Sequence, residues 1–327
     1  MLRVVLTLVL TGAVLFVGAS YWVSRPVFDE QRGYFEPVIA APEQALTFAR
    51  SPAGLIWVTG HTGERVIGVN LTNMCGEAAT ADLISFVNGL DDVLLPDPAA
   101  HTETFPVRDL IAPLEYAYPY VAAGTNFKEH AEEVYSDDPP FLFPKLARAG
   151  NWFDPVPFVP RLDFEAELLV FPLDDIRSPD ALPRFGLVLG NDFTDRWTLV
   201  QELQLGEPLG LTGFAAGKGC AGCMPTGYLV VIPRSEEFYL SLELSLYVND
   251  KLRQRFSMRD VILPIEAIIA EAFDQREAAY GKGGETVPLL PQDYIPRGTL
   301  ILTGTAAGVI FKPLNIWNQG LYLQPGD

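Results

Sequence analysis

The sequence predicts a β-rich mixed α+β fold with short helices, entered through one hydrophobic helix. Three observations carry that prediction. An apolar run without charge extends from Val4 to Val23. From about Tyr118 onward, short β-branched and aromatic segments alternate with Gly and Pro. Long helical periodicities are too few to place a helix between successive strands, as a doubly wound sheet requires. A chain of 327 residues that is 49% hydrophobic and 20% charged can bury a large core and lacks the composition of a disordered protein.

Taken in order, the run from Val4 to Val23 is long enough at ~1.5 Å per residue to cross a hydrocarbon layer of ~30 Å. Tyr21 and Trp22 close it where an aromatic belt would lie, which favours a retained single-pass membrane anchor. The small residues Val17-Gly18-Ala19 keep a cleaved signal peptide open. Arg3 on one side faces Arg25 and Arg32 on the other, so the membrane side is weakly specified, with a bias toward a non-cytoplasmic catalytic part. Residues 1–25 are therefore assigned to the anchor or signal segment, 26–117 to a small N-terminal region and 118–327 to the catalytic domain.

Within residues 26–117, the runs Leu55 to Val58 and Val66 to Val69 predict strands and the stretch Ala78 to Val87 a helix. The Pro-rich segment from Leu95 to Pro106 reads as a connection. Beyond it, strands are predicted at Tyr120 to Ala123, Leu162 to Phe171, Phe185 to Leu189, Tyr228 to Ile232, Leu240 to Val248 and Leu300 to Thr303. Helices are predicted at Phe127 to Val134, with Asn126 as its cap, and at Pro264 to Phe273.

A formal charge of −18 and a pI near 4.5 exclude nucleic acid as a partner, because binding to phosphate backbones depends on Lys and Arg displacing counterions. Three cysteines are too few for a disulfide scaffold. Cys220 and Cys223 form an isolated C-x-x-C, read as packing thiols, with redox or metal chemistry the lesser reading. Three histidines leave carboxylates as the ligands for any metal.

The most informative segment is Leu162-Asp163-Phe164-Glu165-Ala166-Glu167-Leu168. On a strand, Glu165 and Glu167 would face the same side, and two buried like charges are costly unless they protonate or share a cation. A solvent-facing strand edge is the plain alternative. Asp192 follows an apolar run and the Gly190-Asn191 break, a position equally suited to a third oxygen ligand and to a turn. Three carboxylates without His or Cys fit Mg²⁺ or Mn²⁺. His130 and Glu133, three apart on a predicted helix, share a face, so the carboxylate can orient the imidazole as a base for water. An ordinary surface helix would look the same. The segment Gly213 to Gly219 around Lys218 has the wrong spacing for a phosphate loop, and no Gly-x-Ser-x-Gly elbow occurs.

The order of these pieces resembles the fumarylacetoacetate hydrolase family over residues 118–327. The resemblance runs through Gly124-Thr125-Asn126-Phe127 with His130 and Glu133, Phe143-Pro144-Lys145, Asp163 to Leu168, and Asn191-Asp192-Phe193-Thr194 with Arg196. It continues through Lys218, Pro225-Thr226-Gly227, Val248-Asn249-Asp250 with Gln254, and Leu302-Thr303-Gly304-Thr305 with Gly308-Val309. It implies a fumarylacetoacetase C-terminal-like β fold and a divalent cation, Mg²⁺ or Mn²⁺, held by Glu165, Glu167 and Asp192. It also implies water activation by His130 and Glu133 on a lid-like helix, Lys218 stabilising developing negative charge, and Thr305 near the substrate. Arg196 and Lys145, with Arg148, are candidates to receive a substrate carboxylate.

The expected function is metal-dependent hydrolysis of a C–C bond in an acylpyruvate-like or β-diketo acid through a metal-bound enolate. A 2-oxo acid decarboxylase, isomerase or hydratase on the same scaffold, or a non-catalytic membrane-tethered binding protein, is the alternative. The expected partners are a small oxo acid, the membrane through the N-terminal helix, and a second copy, since relatives are frequently dimers. Three departures stand out. Leu199 occupies the family's usual Gln position, with Gln201 two places on; Gly298-Thr299 replaces Gly-Asp; and the sequence stops at Asp327, where relatives generally continue into a further strand.

Overall fold

The computed structural model describes residues 2–28, 37–75, 82–90, 95–181 and 183–327. The N-terminal helix, Leu2–Val23, is the one helix among the described residues that is long and apolar enough to cross a membrane by length and composition. Its apolar side chains are largely exposed, Leu8 and Val14 by 67% and 69%, so it is no core helix.

A ten-stranded sheet organises the rest. Its strands are β1 (Ala45–Ser51), β2 (Gly54–Thr62), β3 (Arg65–Asn70), β4 (Glu103–Pro106), β5 (Ala117–Gly124), β6 (Phe141–Lys145), β8 (Ala166–Pro172), β9 (Phe185–Asn191), β11 (Thr226–Pro233) and β16 (Thr299–Leu302). They run in the order β4-β3-β2-β1-β11-β9-β8-β16-β5-β6. Only β16 with β5 is parallel; the remaining pairs are antiparallel. Two-stranded sheets add β7 (Leu162–Asp163) with β10 (Thr194–Asp195), β12 (Glu243–Val248) with β13 (Lys251–Ser257), and β14 (Ala279–Lys282) with β15 (Glu285–Pro288). The boundary expected between residues 117 and 118 thus falls inside one sheet, because β1 pairs with β11 and carries β2 to β4 outward.

Central strands are apolar because both faces are covered, not because they alternate. Every residue of β8 is buried, and burying each of Leu168, Leu169, Val170 and Phe171 is worth about 1.5–3 kcal/mol. One helix covering this core, Ile265–Asp274, buries Ile265, Ile268, Ile269, Ala272 and Phe273, the stripe that a 3.6-residue period requires.

Three local expectations are corrected. The predicted strand Leu162 to Phe171 breaks after Asp163, because the Glu165 amide donates to Asn191 Oδ1 at 2.9 Å and the Ala166 amide to Gln254 Oε1 at 2.9 Å. Asn126 does not cap the helix Lys128–Glu133, whose N-cap is Phe127. Instead the Asn126 amide donates to Leu263 O and Thr303 O and accepts from the Leu263 N–H. The helix expected at Ala78 to Val87 is found at Leu83–Asn88, capped by Asp82; residues 78–81 of that expectation, like Arg32, lie outside the described residues.

Candidate active site

The site is built where β8 begins and β9 and β16 end. Glu167 is the second residue of β8, and β8 pairs with β9 so that Glu167 stands opposite Gly190. Asp192 follows β9 directly, its amide donating to Glu165 O at 2.9 Å. Glu165 sits in the break between β7 and β8. The three carboxylates converge with one oxygen each within 4.8 Å of the others, and all three residues are buried. Their convergence comes from the interrupted ladder, not from alternation along one strand.

Three cations surround the acids. Lys218, just past the short helix Phe214–Gly217, places Nζ 2.6 Å from both Glu165 Oε2 and Asp192 Oδ2. Lys145 ends β6 fully buried, its Nζ 2.5 Å from Asp192 Oδ1 and donating to Cys223 O at 2.8 Å. Lys145, a candidate to receive a substrate carboxylate, is held against Asp192 and does not line the small cavity beside Lys218. Arg196 opens the helix Arg196–Glu202, with Nε 2.8 Å from Asp163 Oδ2 and Nη2 2.5 Å from Glu165 Oε1. Two of the donors expected to meet a substrate carboxylate are therefore engaged by the protein's own acids.

These neighbours set the protonation states. Burial raises the Glu165 carboxyl, but Lys218 and Arg196 outweigh it and hold the group below the usual range. Glu167 goes the other way: burial, then Asp192 and Glu165, push it well above the usual range. Its Oε2 accepts from the Gly304 N–H at 2.8 Å. Burial lowers Lys145 despite Asp192, whereas Asp192 and Glu165 overcome burial at Lys218 and raise it. An all-oxygen cup in which one carboxylate is penalised for ionising fits a hard divalent cation, and in this arrangement Lys218 lies between two of the three ligands.

Opposite the acids, His130 Nδ1 faces Glu133 Oε2 at 3.4 Å, which leaves Nε2 as the free acceptor when Nδ1 carries the proton. Glu133 is fixed from its far side by Lys312, whose Nζ is 2.7 Å from Oε1, and by the Gly308 N–H at 3.0 and 3.2 Å from its two oxygens. Burial raises the Glu133 carboxyl, but His130 and Lys312 bring it below its ordinary value. Both glycines that aim an amide at a carboxylate have positive φ, +87° at Gly304 and +116° at Gly308. A Cβ at Gly308 would lie 2.1 Å from Arg253 O, so only Gly serves there.

The cavity between these groups holds about 80 Å³ and is lined on its polar side by His130, Glu165, Arg196, Lys218, Thr305 and Thr125. Thr305 Oγ1 donates to Ala166 O and accepts from Gln254 Nε2, each at 2.8 Å. Thr125 holds φ at +50°, a costly region for a β-branched residue. Its buried hydroxyl has no partner among the described residues. Leu199, where the family's Gln was expected, makes part of the wall apolar. A larger hollow of about 560 Å³, beside Trp152 and Phe158, contains none of the three acids; charge convergence, not size, marks the site.

Sequence reasoning named Asp163 and Thr125 among the family motifs without giving either a role, and did not find Lys312. Asp163 holds Arg196 and also accepts from the amides of Ile310 and Phe311 at 2.9 and 3.0 Å. Its place two residues before Glu165 was the only local signal; Lys312 offered none. Cys220 and Cys223, expected as packing thiols, are joined in a disulfide across a tight turn that brings their Cα atoms to 5.3 Å.

The family model described as Fumarylacetoacetate (FAA) hydrolase C-terminal matches residues 120–327. Among solved structures, a protein from Mycobacterium smegmatis solved under the name HpcE superposes with a TM-score of 0.58 at 20% identity, over 86% of this chain and 92% of that one. A fumarylacetoacetate hydrolase from Exiguobacterium antarcticum gives 0.54 at 19% identity, over 81% and 88%. A maleylpyruvate hydrolase from Sphingobium sp. SYK-6, solved with manganese(II) and pyruvate, gives 0.49 at 20% identity, over 80% and 89%. At such identities the first two likenesses, with TM-scores above 0.5, show the fold alone. No curated protein matches the chain.

Proposed function

This chain belongs to the fumarylacetoacetate hydrolase family, and we propose that it hydrolyses a carbon–carbon bond in an acylpyruvate-like or β-diketo acid with Mg²⁺ or Mn²⁺ as cofactor. The observation that carries this reading is the buried convergence of Glu165, Glu167 and Asp192 beside Lys218. His130, backed by Glu133, lines the same cavity as Glu165 and Lys218. A divalent cation in the cup supplies Lewis-acid polarisation of the substrate carbonyl.

The chain's own residues supply the rest. Glu133 holds His130 so that Nε2 takes a proton from water, and the water oxygen adds to the acyl carbonyl carbon. The bond from that carbon to its neighbour then breaks, its electron pair becoming the enolate of the departing 2-oxo acid. His130 returns its proton to the enolate carbon, giving a carboxylic acid and a 2-oxo acid. The Lys218 ammonium lines the cavity where the enolate charge develops, and Arg196 acts by fixing Glu165. The Thr125 hydroxyl, without a partner among the described residues, lines the cavity, and we assign it to a substrate oxygen.

Decarboxylation, isomerisation or hydration would use the same residues and differ in the bond broken. The deciding experiment assays acylpyruvates and oxaloacetate with Mg²⁺, with Mn²⁺ and after chelation. Activity that survives chelation sinks the mechanism. Glu167→Gln and His130→Asn are each expected to lower turnover at least 100-fold with folding retained. No turnover on any oxo acid tested would favour a binding protein.

We further read residues 4–23 as a single-pass anchor, on the strength of their length and exposure. The Cys220–Cys223 disulfide supports an oxidising side for the catalytic part.

A further inference from the structure

The outer end of the N-terminal helix is not a free tether. The Phe16 ring lies 6.1 Å from that of Trp317. Trp317 Nε1 donates to Ser20 Oγ at 3.0 Å, and Ser20 is fully buried on a helix exposed from Val4 to Ala19. Two more bonds follow: Asn318 Nδ2 donates to the adjacent Tyr21 OH at 3.2 Å and, one turn on, Asn315 Nδ2 to Ser24 Oγ at 3.0 Å. Residues 314–318 are thus packed along the helix from Phe16 to Ser24.

Depth follows from that packing. Twenty residues, Val4–Val23, rise about 30 Å, which matches the hydrocarbon thickness and leaves no slack to slide the helix outward. Phe16 lies seven residues before the end of the run, about 10 Å inside it. If the helix spans a bilayer, a ring packed on Phe16 enters the bilayer with it.

The side chains carried to that depth suit it. Leu314 and Trp317 are exposed by 36% and 42%. Trp197, exposed by 41%, adjoins them through Arg161, whose guanidinium lies 4.5 Å over the Trp197 ring while its Nε donates to Ile316 O. Tryptophans with an arginine stacked beside them suit the margin of the hydrocarbon: the rings pack on its apolar side and the cation snorkels toward water or phosphate. A chain of net charge −18 is repelled by an anionic surface, so the lipid that this face fits is zwitterionic.

We propose that Leu314, Trp317 and Trp197 form a membrane-contact surface that seats the catalytic domain in the lipid interface beside its anchor. The proposal rests on the anchor reading of residues 4–23. It also gives the seat a catalytic consequence. The same loop carries Phe311, which lines the cavity, and Lys312, which pairs with Glu133. Asn315 joins the two ends, its Oδ1 accepting the Lys312 N–H at 2.9 Å while its Nδ2 reaches Ser24. One loop thus joins the cavity wall to the helix end.

The test is tryptophan quenching of the full chain reconstituted in phosphatidylcholine vesicles with brominated acyl chains. Wild type is compared with Trp22→Phe, with Trp22→Phe/Trp317→Phe and with the triple variant that adds Trp197→Phe, each checked for native far-UV dichroism. Trp22→Phe should keep clear quenching, of which at least half disappears with Trp317→Phe and more with Trp197→Phe. If wild type is quenched but Trp22→Phe is not, the anchor stands and the contact surface is overturned. Equal quenching of Trp22→Phe and the double variant overturns it too. If wild type is not quenched at all, the anchor reading falls and the surface with it.

Discussion

At the residue scale, the protein's chemistry depends on cations that share acids with one another. Lys218 sits between Glu165 and Asp192, where a divalent ion would also bind, so ammonium and metal repel each other in one cup. Lys218→Met should therefore tighten Mg²⁺ binding about tenfold, roughly 1.4 kcal/mol, while lowering turnover by 100-fold or more. Calorimetric titration beside a steady-state assay separates the two effects, and weaker binding would contradict the shared-cup account. Glu133 gives a pH signature. Burial raises its carboxyl, but His130 and Lys312 draw it below its ordinary 4.5. Its contribution to stability is thus complete above about pH 4.5 and is lost as pH falls through the depressed folded value. Glu133→Gln leaves the buried Lys312 ammonium unpaired and should cost about 3 kcal/mol at pH 7. In urea melts the gap between wild type and variant should narrow on acidification below pH 4.5; a gap independent of pH would remove the ion pair from the explanation.

At the element scale, Asn126 shows how the site's loops are held. One side chain takes two carbonyls and one amide from segments far apart in sequence: Leu263, before the helix Ile265–Asp274, and Thr303, after β16. Asn126→Ala should destabilise by about 3 kcal/mol, seen as a lower urea midpoint with an unchanged slope, because three backbone groups lose buried partners together. Asn126 looked like a helix cap because Asn before a helix commonly is one. Its actual partners lie 137 and 177 residues away, beyond any local pattern. The predicted strand through Glu165 failed for the same reason: Asn191 and Gln254 supply the partners that a ladder would have supplied.

At the scale of the whole molecule, a ligand that binds only the folded cup stabilises the entire domain. Saturation at 100 times Kd is worth about 2.7 kcal/mol, an expected rise in Tm of about 5 °C. That rise should be reversed by chelator and absent in Glu167→Gln; a shift preserved in the variant would place the metal elsewhere. The sequence by itself determined the inventory and the order: an apolar run of bilayer length, a strand-rich fold, three acids, a His130–Glu133 pair at helical spacing, and the motif succession that marked the family. These are local properties, since hydrophobic period, turn residues and side-chain type act over a few residues. Only the tertiary structure decided which charges meet. Lys312 reaches Glu133, Lys145 stands behind Asp192, Asp163 ties Arg196 to the loop, and Trp317 packs against Phe16. Such contacts depend on which buried polar groups are left without a neighbour once the sheet has formed, a condition of the whole packed chain that no stretch of it contains.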